Sequence, residues 1–189
     1  NGIYDLAHPW SEKTAEWRDG IGRIWGRDDW PEGLGAYRAA IQAINPEGGL
    51  RRYPGSPRIA HFLMRPQDRL ALCELNKDDC KALERSLAGA QQTIIRNTDG
   101  FAAVRPFLPP KERRGLTFID AAFDQAQEFD RVLGAVKEAH RRFATGMIVV
   151  WHPLMDPDAM REFTTNVQGL DIKKTLRLEL STRPETWTE

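Results

Sequence analysis

Apolar residues recur along this chain in two rhythms, and their succession predicts helices and strands in turn. From Ser11 the helical period sets in: Trp17, Ile21, Ile24 and Trp25 share one face, and after a turn at Arg27 to Pro31 a second face follows at Leu34, Tyr37, Ile41 and Ile44. These positions predict an antiparallel helix pair, ended by Asn45-Pro46-Glu47-Gly48-Gly49. No strand alternation interrupts it, so residues 10–48 read as a helical insertion attached to an α/β core. Ser56 before Pro57 predicts an N-cap with proline at the first helical position, opening a helix through Ile59, Phe62 and Leu63 that Pro66 closes.

From there the two rhythms alternate. Leu70 to Leu75 is a short apolar run ending in an acid, and the helical period returns at Cys80, Leu83 and Leu87, with Gly89 as its stop. Thr93 to Arg96 predicts a strand, and Phe101, Val104 and Leu108 a helix ended by Pro109-Pro110. Gly115 to Ile119, with Asp120 at its carboxyl end, reads as a buried central parallel strand. A long amphipathic helix follows through Phe129, Val132, Leu133, Val136, His140 and Phe143, then a continuous apolar strand from Gly146 to Trp151. Met160, Phe163 and Val167 mark a further helix, and Leu176, Leu178 and Leu180 alternate as a final strand over Lys174 to Leu180. Strands separated by helices predict an α/β fold with a mostly parallel, doubly wound sheet.

Composition narrows the function without choosing it. The 189 residues, 41% hydrophobic and 29% charged, suit one substantial core. With 27 basic against 27 acidic residues no global field draws the chain to nucleic acid, so any such binding must come from a local patch. Cys73 and Cys80 form no metal-ligand spacing, and neither do His8, His61, His140 and His152, so no metal is expected. No apolar run approaches the length of a membrane span. A reducing, cytoplasmic setting is expected.

The candidate chemistry lies at the ends of three predicted strands: Glu74, Asp99 and Asp120. In open α/β sheets ligands bind outside the carboxyl ends of the strands, and an acid after the second strand of a nucleotide-binding sheet accepts hydrogen bonds from ribose hydroxyls. Asp99-Gly100 after the next strand can set a carboxylate and an unhindered backbone beside an adenine ring. The alternative is that the three acids are unrelated helix caps and turn residues, with Phe123 as core. Trp10, Trp17, Trp25 and Trp30 near Arg18, Arg23 and Arg27 form either an RNA-facing surface or, as preferred here, the insertion's own small core.

Y-P-G-S-P at 53–57, L-x-L-x-E-L ending at Leu75, D-G-F at 99–101, L-P-P-x-x-R-R-G-L at 108–116, I-D at 119–120 and R-F-A-T-G at 142–146 together resemble the RlmJ/YhiR family, over Asn1 to about Thr188. That resemblance implies a Rossmann-like methyltransferase fold with a helical insertion after the first strand. It also implies transfer of a methyl group from S-adenosylmethionine to the exocyclic amine of an adenine in large-subunit ribosomal RNA. The RNA partner would be naked or in an early assembly intermediate, and the protein a monomer. By position, Ser56, Glu74, Asp99, Gly100 and Asp120 would contact the cofactor, Glu74 through the ribose. Asp120 and the Ala121 carbonyl would accept from the target amine, and Phe123 would stack on the base.

Two differences from the family pattern shape the expectation. Ala121-Ala122 stand where Asp-Pro-Pro-Tyr or Asp-Pro-Pro-Phe is usual, so D-A-A-F keeps the acid, the carbonyl and the ring but not the stiff loop, and impaired turnover is expected. Asn1-Gly2 resemble the last two residues of the glycine-rich first motif. Residues 1–9 then end that motif, and 49–189 form the core without its first and last strands. The alternatives are an inactive relative that binds nucleic acid or a partner protein and, on an older family label concerning external DNA, a nuclease, which no acid cluster supports.

Overall fold

The computed structural model describes residues 2–123, 127–154 and 157–180. It divides into two compact units, Asn1–Ala103 and Val104–Glu189.

The first unit opens on a strand pair that the hydrophobic pattern does not reveal. β1 (Ile3–Asp5) and β2 (Arg52–Pro54) pair antiparallel, with Tyr4 opposite Tyr53. Three residues are too few to show a period of two, and Pro54 disguises the second strand as a helix start. Between the paired strands lie only helices and turns: α1 (Pro9–Thr14), α2 (Glu16–Asp19), α3 (Ile21–Ile24), a 3₁₀ turn at Glu32–Leu34 and α4 (Gly35–Ala43). The expected pair of helices is therefore corrected to one nine-residue helix, three shorter ones and a 3₁₀ turn. Ala15 adopts a left-handed conformation at φ 49° and Gly20 an irregular one, and each breaks the helical run that Trp17, Ile21 and Ile24 suggest.

Asn45 closes this insertion. Its buried amide donates to the carbonyls of Ile41 and Arg52 at 2.9 and 2.8 Å and accepts from the N–H groups of Arg51 and Arg52 at 3.1 and 2.9 Å. One side chain thus joins the end of α4 to β2. The hydroxyls of Tyr37 and Tyr53 meet at 2.7 Å alongside, and burial raises the Tyr37 phenol above its ordinary range. The rings of Trp25, Trp30 and Tyr37 follow one another at 6.4 and 6.3 Å, and Trp25 donates to the Gly48 carbonyl. Arg18, Arg23 and Arg27 are engaged by Glu12, Asp19 and Asp29, and the Arg27 pairing pulls the Asp29 carboxyl down to about 2. Three of the four tryptophans are thus partly covered, while Trp10 is 78% exposed.

α5 (Ser56–Leu63) follows, with Gly55 rather than Ser56 as its N-cap and Met64, ahead of Pro66, as its end. β3 (Leu70–Glu74) and β4 (Thr93–Asn97) pair parallel, joined by α6 (Lys77–Ser86), whose Cys80 and Leu83 are buried together with the following Leu87. α7 (Gly100–Phe107) crosses the division between the units.

In the second unit β5 (Leu116–Asp120) and β6 (Met147–Trp151) pair parallel, with Asp120 opposite Trp151. α8 (Glu128–Arg142) buries Val132, Ala135, Val136 and Ala139, and α9 (Pro157–Gln168) buries Met160 and Phe163. The expectation that β5 is buried on both faces is corrected. Leu116 is 60% and Phe118 47% exposed, while Thr117 and Ile119 between them are half-buried. Successive side chains point to opposite faces, so one face of this sheet is covered and the other open. The parallel βαβ units are as expected, and among the described residues hydrogen bonds pair β3 with β4 in the first unit and β5 with β6 in the second. The expected final strand is absent from the described residues: Leu176, Leu178 and Leu180 are exposed and pair with no strand, since alternation alone supplies no hydrogen-bonding partner. Residues 181–189 lie outside the described part.

Candidate cofactor and base site

Glu74 and Asp99 share the carboxyl edge of the β3–β4 pair. Glu74 ends β3 opposite Asn97, and the Thr98 N–H donates to the Glu74 carbonyl at 3.2 Å. The Glu74 carboxylate accepts the Asn76 N–H on Oε1 at 3.0 Å, and Oε2 has no hydrogen-bond partner among the described residues. One oxygen is anchored and the other is open to accept. Asp99 caps α7: its Oδ1 accepts the Phe101 N–H at 2.9 Å, and its carbonyl the Ala103 N–H. Its charge, after burial, helps push the Cys73 thiol above the usual range. A Cβ added at Gly100 would lie 3.8 Å from that of Cys73, an ordinary contact, so the residue type is not demanded there by packing. Ser56 is the exposed first residue of α5 and makes no hydrogen bond to Glu74 or Asp99 among the described residues.

Asp120, Ala121 and Phe123 lie in the second unit, where β5 runs into the loop. Asp120 is open to solvent by area, yet partial desolvation raises its carboxyl above the usual carboxylate range. The peptide bonds of Ala121 and Ala122 are trans. Phe123 departs from the expected picture of a ring presented to a base. It is 5% exposed, adopts a left-handed φ of 54°, and packs on Phe129 with ring centroids 4.9 Å apart. Phe129 in turn meets Phe163 at 5.2 Å, and the His152 ring completes the cluster at 5.6 Å from Phe163 and 6.4 Å from Phe123.

The R-F-A-T-G stretch is structural. Arg142 donates to the Leu108 carbonyl at 2.9 Å, Phe143 is buried, and Gly146 lies so close to that ring that an added Cβ would fall 2.3 Å from it. Glu138 pairs with Arg105 at 3.2 Å and Arg141 at 2.8 Å, and the Arg141 hydrogen bond holds its carboxyl below the usual range. His140 sits half-buried in the last turn of α8. Among the described residues no cluster of His, Cys, Asp or Glu can hold a metal ion, and no helix is long and apolar enough to cross a membrane. Sequence reasoning missed Asn97 as part of the first of these two edges. An amide at a strand's last position is the signal that was there to be read for Asn97.

The model of the family described as ribosomal RNA large subunit methyltransferase D, RlmJ, matches residues 1–189. The chain belongs to the RlmJ family. It is 38% identical over 186 residues to the ribosomal RNA large subunit methyltransferase J of Haemophilus influenzae, and 35% identical over 185 residues to that of Escherichia coli. Each match covers 98% of this chain and 66% of the relative, so the chain spans just under two thirds of their length. A crystal structure of protein LPL1258 from Legionella pneumophila superposes with a TM-score of 0.83 at 33% identity, covering 90% of this chain and 62% of that one. The fold expected for an RlmJ relative, mixed α/β with parallel strand pairs, is the one present.

Proposed function

We propose that this RlmJ-family protein transfers a methyl group to the exocyclic amine of an adenine in large-subunit ribosomal RNA. The observation that carries this reading is the Glu74 carboxylate, anchored through Oε1 with Oε2 left to accept, at the edge where Asp99 and Gly100 begin α7. A free carboxylate oxygen suits vicinal ribose hydroxyls, so the donor set fits S-adenosylmethionine. When bound, that group supplies an electrophilic methyl on a sulfonium centre. The chain's own residues would hold and orient: Glu74 at the ribose, Asp99, Gly100 and Ser56 around the remainder of the nucleoside and the cofactor's approach, Asp120 beside the chemistry.

Asp120 and the Ala121 carbonyl would accept the two protons of the target amine, keeping its lone pair aimed at the methyl group. That is catalysis by positioning, with no covalent intermediate. A base in a duplex cannot reach such a pocket, so the adenine would be flipped or unpaired. The substrate is accordingly ribosomal RNA that is naked or in an early assembly intermediate, and the protein acts as a monomer in the cytoplasm. Residues 10–48 serve as the insertion and 49–189 as the catalytic core.

A second reading is favoured by Ala121-Ala122 and by the burial of Phe123: a relative that binds its ligands but turns over poorly. Methyl transfer to unmodified ribosomal RNA by the full-length protein, compared with its A121P/A122P variant, tests both. Transfer by the parent supports the first reading. Transfer only after prolines are restored supports the second. No transfer and no binding of S-adenosylhomocysteine by either overturns both.

A further inference from the structure

The backbone ladder between β3 and β4 stops at Glu74 opposite Asn97. Past that pair the Thr98 N–H still donates to the Glu74 carbonyl at 3.2 Å, and the Leu75 carbonyl has no backbone partner in the ladder. The Asn97 side chain takes it: Nδ2 donates to the Glu74 carbonyl at 2.8 Å and to the Leu75 carbonyl at 2.9 Å. Both protons of one amide go to two consecutive carbonyls, a task that a hydroxyl or a carboxylate cannot perform. The turn at Leu75 is thereby held, and it is this turn that directs the Asn76 N–H at Glu74 Oε1, 3.0 Å away. Asn76 is fixed from its other side, its Oδ1 accepting the Asp78 and Asp79 N–H groups at the start of α6.

The chain of contacts runs from Asn97 through the turn to the Glu74 carboxylate, and it ends on an oxygen with an open lone-pair direction. Asn97 is itself exposed, so it fills no core space and its removal leaves no cavity. Carbonyls released at an exposed edge rehydrate, which limits the effect on folding.

We propose that Asn97 is a positioning residue for nucleoside binding, orienting Glu74 so that the site selects a ribose with its hydroxyls in place. The inference rests on the cofactor reading above. The test is calorimetric titration of the full-length protein with S-adenosylhomocysteine and with its 3′-deoxy analogue. The parent is expected to prefer the hydroxylated ligand by on the order of tenfold to a hundredfold, the range of one hydrogen bond to a charged group. N97A and the isosteric N97D should bring that preference close to parity, with unliganded thermal midpoints near the parent's, and N97A should add nothing in an E74Q background. A purely structural role would weaken both ligands alike and leave the preference intact, and that result overturns the proposal, as does N97A binding like the parent. The preference is a ratio, so it reports on Glu74 even if a variant loses stability. A parent that does not bind S-adenosylhomocysteine at all overturns the cofactor reading, and this inference with it.

Discussion

The ring of Phe123 packs against that of Phe129 with centroids 4.9 Å apart and planes tilted by 47°. The residue that the family resemblance assigns to base stacking is thus part of the second unit's aromatic core. The two roles separate by substitution. F123A should destabilise the protein by about 3–5 kcal/mol in denaturant unfolding, as for a buried phenylalanine. F123L keeps most of the volume and should cost less than about 1.5 kcal/mol. If the ring also turns out to stack on the adenine, F123L should still lower kcat/KM by about tenfold to a hundredfold. Unchanged kcat/KM in a stable F123L would restrict Phe123 to the core.

The Asp120 carboxyl couples the stability of the fold to pH. Desolvation raises its folded pKa above the unfolded value, so the stability it contributes is present below about pH 4 and is lost as pH rises through the folded pKa. At pH 7 the carboxylate is therefore a mild burden on the fold. D120N should melt no lower than the parent at pH 7, the two midpoints converging in acid, while methyl transfer drops by about a hundredfold or more, the scale of one lost preorganised transition-state contact. A D120N that melts lower at pH 7, or transfers normally, contradicts this account.

Asn45 uses its full hydrogen-bonding capacity on backbone groups. N45A leaves several of them without partners in a buried position and should cost about 2–4 kcal/mol. N45D has the same shape but aims a carboxylate at the Ile41 and Arg52 carbonyls. Its introduced carboxyl would titrate above the unfolded value, so N45D should regain stability relative to the parent as pH falls from 7 to 4. Unfolding curves at the two pH values check this, and a constant gap between N45D and the parent would refute it.

Gly146 has no room for a methyl group, because Phe143 occupies the space. G146A should cost about 1–3 kcal/mol by overpacking. Adding F143L, which withdraws the ring, should make the double variant more stable than the sum of the two single changes predicts. Strict additivity in thermal unfolding would show that the ring does not resist the methyl.

Local pattern alone sets the order of the parallel βαβ units and the acids at their ends. Leu70–Glu74, Thr93–Asn97, Leu116–Asp120 and Met147–Trp151 are apolar runs bounded by turn residues, and local pattern suffices for such elements. The six motifs also carried the family resemblance, which the match over residues 1–189 bears out. Four outcomes needed tertiary structure. The β1–β2 pair exists because two three-residue segments about fifty positions apart meet, and neither is long enough to show a period. The helical run at Trp17 breaks at Ala15 and Gly20, although nothing in its apolar spacing marks a break. The alternation at Leu176, Leu178 and Leu180 gains no strand, because a strand is made by its neighbour. Phe123 is buried because Phe129, Phe163 and His152, from α8, α9 and the end of β6, gather around it, a meeting of distant residues that no local pattern encodes.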